Sequence, residues 1–69
     1  MNRTKIKETL KHLRSAHADE LKMANFFVKA EEIAKRENMS SAAEFFRNAA
    51  KDEKRHAVEI EKVLEELIE

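Results

Sequence analysis

Asn38-Met39-Ser40-Ser41-Ala42-Ala43-Glu44 is the one stretch of this sequence that reads as a turn, and it decides the fold. Asparagine tolerates the left-handed conformation that often follows a helix C-terminus, so Asn38 can serve where glycine is unavailable. Ser41 and Glu44 have the form of a capping box. In that motif the serine oxygen accepts from the amide of the glutamate, and the glutamate carboxylate reaches back. One helix is therefore expected to end near Glu37 and a second to begin at about Ser41. A loop this short makes its two helices antiparallel neighbours.

Working outward, the pattern stays helical in both directions. Ile6, Leu10, Leu13, Ala16, Met23, Ala24, Phe27, Ala30 and Ala34 recur at spacings of three and four, the signature of an amphipathic helix. Thr4, or else Asn2, would cap it. On the far side of the turn, Ala42, Phe46, Ala49, Glu53, His56, Ile60, Val63 and Leu67 form an unbroken stripe at the same spacing. Ala43, Phe45, Ala50, Ala57, Leu64 and Ile68 widen it. The expectation is a single all-α domain over residues 1–69, with helix 1 at about 4–37 and helix 2 at about 41–68.

Composition agrees. Gly and Pro are absent, and positive-φ turns and sharp stops in sheet proteins depend on them. Charged residues make up 41% of the chain, yet the formal net charge is zero. Binding to phosphate backbones needs a basic excess, so nucleic acid is not an expected partner. No apolar run is long enough for a membrane span or a signal peptide, and the expected location is cytoplasmic. The absence of cysteine excludes disulfides and thiolate metal sites. Chains this short seldom hold a core together unaided, so a metal, oligomerisation or both are expected. The stripe is also broader than one helix pair needs, which marks an interface.

Charges are arranged for an antiparallel pair. Arg3, Lys5, Lys7, Lys11 and Arg14 lie on the first half of helix 1, and Glu59, Glu61, Glu65, Glu66 and Glu69 on the end of helix 2. Each set has the wrong sign for its own helix dipole, and side by side they can neutralise each other.

Glu53 and His56 are the anomaly in the apolar stripe, because a carboxylate there is costly unless it is compensated. Glu20 lies about 26 Å before the end of helix 1, while Glu53 and His56 lie about 18 and 22 Å into helix 2. The three therefore meet at one level of a hairpin. A di-metal carboxylate site in a four-helix bundle uses one Glu from each of two helices and Glu-x-x-His from each of the other two. One hairpin carries half of that set, and a two-fold homodimer, alone or within a higher oligomer, would carry all of it. Imidazole on each metal favours iron or manganese over calcium or magnesium.

At these residues the chain resembles the rubrerythrin branch of the ferritin-like superfamily. The likeness lies in Ala18-Asp19-Glu20 and in Phe46-Arg47-Asn48-Ala49-Ala50-Lys51-Asp52-Glu53-Lys54-Arg55-His56-Ala57, which is similar to the family's F-x-x-A-A-x-x-E-x-x-H-A stretch. It covers roughly residues 9–68 and corresponds to half of a rubrerythrin bundle. The resemblance implies a helical hairpin that dimerises into a ferritin-like four-helix bundle, with Glu20, Glu53 and His56 as metal ligands and Glu53 bridging. It implies two iron ions per dimer, with manganese or zinc as alternatives. It also implies oxidation of Fe(II) by O2 or H2O2, as in a ferroxidase or peroxidase, with an electron donor that the sequence does not specify. The competing expectations are a hairpin dimer that serves as a structural or interaction module without a redox-active metal, and a redox-inert zinc scaffold.

Neighbouring polar residues have simpler expectations. His17 reads as a partly buried histidine bonded to a neighbour, with a supporting or extra ligand role as the alternative. Glu31 reads as a salt-bridge member, and Asp19, Glu59 and His12 as surface groups. Phe26, Phe27, Phe45, Phe46, Met23 and Met39 read as core or dimer packing.

Overall fold

The computed structural model describes residues 6–68, which form two helices, α1 (Lys7–Arg36) and α2 (Ser40–Ile68). They pack along their length as a hairpin measuring 53 × 15 × 12 Å. Thr4 and Asn2, the expected caps of α1, lie outside the described residues. Ile6 precedes the helix and contributes no side-chain cap. Lys35 and Arg36 occupy the last turn of α1, where positive charge suits the helix dipole.

The turn is closed by the backbone. Asn38 has φ 60°, the left-handed conformation expected of it. The Asn38 amide donates to the Lys35 carbonyl at 3.1 Å and the Met39 amide to the Ala34 carbonyl at 2.8 Å. These two bonds make a Schellman motif, which satisfies carbonyls that the end of α1 would otherwise leave open. The Met39 carbonyl in turn accepts from the Ala43 amide at 2.9 Å and opens α2.

That geometry corrects the expected capping box. Met39, not Ser41, occupies the position that precedes α2, and Ser41 is the second residue of the helix. The Schellman closure holds Met39 by its amide, and its carbonyl then accepts the first bond of α2, so the helix begins before Ser41 can act as a cap.

The seam between the helices is made of small residues. The buried apolar side chains are Leu10, Ala24 and Ala34 on α1 and Ala43, Ala50 and Ala57 on α2. The three alanines of α2 recur at seven-residue intervals, and with nothing beyond Cβ they let α1 approach closely. They belong to the set expected only to widen the stripe. The stripe itself, from Ala42 through Phe46, Glu53 and His56 to Leu67, is mostly half-buried and runs along one edge of the seam. Stacked on that edge toward the turn are Phe27 and Phe46, with ring centroids 6.2 Å apart, flanked edge-on by Phe26 and Phe45. No helix among the described residues is long and apolar enough to cross a membrane.

Candidate metal centre

Glu20 sits at mid-length on α1, and Glu53 and His56 sit at mid-length on α2. Helical spacing of three sets Glu53 and His56 on one face of α2, and the antiparallel seam brings that face level with Glu20. The three side chains each offer a ligand atom, and these atoms lie within 4.8 Å of one another. Ligands of a single ion bound at roughly 2.0–2.2 Å lie up to roughly 4.4 Å apart, so small rotamer adjustments suffice to close on a cation.

The electrostatics of the cluster suit a cation. Glu20 Oε2 is buried and lacks a hydrogen-bond partner. Its nearest basic neighbour, His56 Nδ1, lies 3.5 Å away, too poorly placed to satisfy it. The Glu53 carboxyl is held above the usual carboxylate range, first by a hydrogen bond shared with Glu20, then by burial and by the Glu20 charge. His56 opposes that rise and Asp52 adds to it. Two carboxyls packed together beside a single imidazole are a donor set short of positive charge. The His56 side chain is 44% exposed, so the cluster opens toward solvent on the Phe27/Phe46 side of the hairpin.

The remaining polar residues lie elsewhere. His17 Nε2 is hydrogen-bonded to Glu61 Oε2 at 2.8 Å, across the helices on the opposite edge of the seam. His17 is thus the bonded, partly buried histidine of the simpler expectation and stands apart from the three-residue group. Glu31 bridges Lys35 at 3.0 Å and Arg47 at 3.8 Å, as a salt-bridge member should. Asp52 and Glu59 both pair with Arg55 on the exposed side of α2. Among the described residues, His17–Glu61 is the single ion pair between the helices on the side of the cluster away from the turn, and none joins Lys7, Lys11 or Arg14 to the acidic run of α2. Glu61 was read only as one member of the acidic run at the end of helix 2, and Arg47 had no assigned partner. Counting levels back from the turn places each near its partner's level without choosing it among the neighbouring charges.

No family model, curated protein or solved structure matches the chain.

Proposed function

We propose that this chain is a rubrerythrin-like half-bundle that binds iron through Glu20, Glu53 and His56 and oxidises Fe(II) with O2 or H2O2 at a site completed by homodimerisation. The observation that carries the reading is the convergence of two carboxyls and an imidazole around a buried, unpartnered Glu20 Oε2. That atom lacks the positive partner a cation would supply. Three donors per hairpin leave a metal under-coordinated, and a two-fold dimer doubles the set to six donors for two ions.

Bound Fe(II) would supply the electrons that reduce O2 or peroxide. Glu20 and Glu53 would balance the ionic charge, and by the resemblance Glu53 would be the bridging carboxylate. His56 would contribute one neutral donor per metal. Phe27 and Phe46 would limit water at the centre, and they resist oxidation better than tyrosine would.

Anaerobic addition of Fe(II) followed by O2 tests this, with near-ultraviolet absorbance and metal analysis as readouts. Uptake near two irons per dimer is expected, and Glu53→Ala or His56→Ala should abolish it. Failure of the wild-type protein to take up stoichiometric iron would sink the proposal.

A second reading rests on the same residues. Glu20 already lies near His56 and shares a hydrogen bond with Glu53 when no metal is considered, so the three could serve as a polar pin in a structural dimer. In that case Glu53→Leu together with His56→Leu would raise stability, because a well-packed apolar pair often outperforms a buried ionic one.

A further inference from the structure

His17 and Glu61 offer no ligand atom to the cluster, yet they hold a particular place along the hairpin. Met39 lies midway in sequence between them, and midway between Glu31 and Arg47 as well. The two cross-helix pairs therefore belong to one antiparallel register. They are separated by about 21 Å along each helix, on the edge of the seam opposite the cluster. Their polarity is reversed, since α1 supplies the imidazole of one pair and the carboxylate of the other. The level of Glu20 falls between them, one turn from His17.

The two sides of the cluster are held unequally. Toward the turn, the Schellman closure, the Phe27/Phe46 stack and the Glu31–Arg47 pair all set α1 against α2. Away from the turn, His17–Glu61 is the single ion pair between the helices among the described residues, and beyond it only Leu10 is buried. Beside the cluster the buried side chains are Ala24 and Ala57. Alanine has nothing beyond Cβ to lodge between residues of the facing helix, so such a seam opposes sliding weakly. The cluster, by contrast, needs a fixed register. Its donor atoms lie within 4.8 Å of one another, and ligands of one ion lie up to roughly 4.4 Å apart. A slide of α1 by one residue is about 1.5 Å, several times that margin.

We propose that His17 and Glu61 are positioning residues for the metal centre. The 2.8 Å bond from His17 Nε2 to Glu61 Oε2 fixes the axial setting of α1 one turn from Glu20. It thereby keeps the Glu20 carboxylate within reach of a cation held by Glu53 and His56. This deepens the proposed metal reading and rests on it.

Co(II) and Zn(II) binding to the full chain at one protein concentration tests the pair. Co(II) d–d absorption reports ligand geometry, and competition gives the Zn(II) affinity. His17→Ala and Glu61→Ala are each expected to weaken Zn(II) binding about tenfold, the reach of one hydrogen bond to a charged group, and to alter the Co(II) spectrum. The double variant should lose no more than either single one, because each breaks the same bond. His17→Gln keeps an N–H donor toward Glu61 and should recover most of the affinity. Arg47→Ala removes the pair on the turn side, where the backbone already fixes the register, and should bind as the wild type does. Circular dichroism establishes that each variant is folded, and Glu61→Gln carries the same test if an alanine variant is not. A role confined to fold stability would lower the melting temperature of His17→Ala and leave its Zn(II) affinity and Co(II) spectrum unchanged, which overturns the proposal. Equal weakening in Arg47→Ala overturns it too. A wild-type chain that takes up neither cation overturns the metal reading and this inference together, whereas unchanged affinity in the His17 and Glu61 variants overturns this inference alone.

Discussion

Glu53 shows how little a single side chain's surroundings need to differ from water to matter. Its carboxyl lies above its ordinary value of 4.5, first because Glu20 shares a hydrogen bond with it, with burial and the Glu20 charge adding to the rise. In the metal-free protein the folded chain therefore holds this proton at a pH where the unfolded chain has lost it. The sign follows. The contribution of Glu53 to stability is fully present below pH 4.5 and is lost as pH rises through the folded pKa. Glu53→Gln removes the titration. Urea midpoints measured in chelator between about pH 4 and neutrality should vary less with pH in the variant than in the wild type. Equal slopes would show that the Glu20–Glu53 contact does not form. The shared face of Glu53 and His56 was legible in the sequence at this scale, because a spacing of three on a helix has one geometric meaning. The His17–Glu61 bond was legible only in part. The histidine was expected to have a partner, but surface carboxylates are numerous and periodicity does not choose among them.

At the scale of the elements, the small-residue seam sets how closely α1 and α2 pack. Ala50 lies at its middle and is buried. Ala50→Leu would force the helices apart at the level of the cluster. Overpacking of this kind costs typically about 1–3 kcal/mol, measurable by urea denaturation. A stabilised variant would show that the seam has room and that alanine is not required there. The turn is the other decisive element. Asn38 adopted the left-handed geometry its residue type suggests, but the start of α2 was misread at Ser41. A capping box is a local signal, and the hydrogen bonds of Met39, set by how α1 ends, outrank it. Which part of the apolar band forms the seam was not legible for a related reason. Seam and stripe on α2 share the same spacing of three and four, so helical period alone does not tell which edge of a broad apolar band meets its own partner. The alanines at Ala43, Ala50 and Ala57 decide it, because two backbones approach most closely where side chains are smallest.

The whole molecule is an elongated hairpin with a Cα radius of gyration of 15.9 Å, whereas a compact chain of this length would have about 11 Å. Its buried side chains are few and mostly alanine, so intrachain apolar burial is small. In the proposed metal-bound dimer, much of the stability would therefore come from the partner copy and the metal. A metal held at 100 times its dissociation constant adds about 2.7 kcal/mol. For a domain this small, that corresponds to a melting temperature roughly 10–20 °C higher than in chelator. Calorimetry with Fe(II) under anaerobic conditions, or with Zn(II), against the chelated protein checks this. Coincident transitions would favour the structural dimer.

The sequence by itself determined that the chain is two helices and a turn, and that two carboxylates and an imidazole share one face. Those conclusions follow from the period of the α-helix, from the absence of Gly and Pro, and from the tolerance of asparagine for positive φ. Tertiary structure alone decided that the alanines, not the aromatic stripe, form the seam. It also decided that His17 is taken by Glu61, and that Glu20 keeps a buried oxygen with no partner. Each of these depends on the rotation and axial offset of one helix against the other. Side-chain size along the contact line sets that offset, and helical period does not encode it.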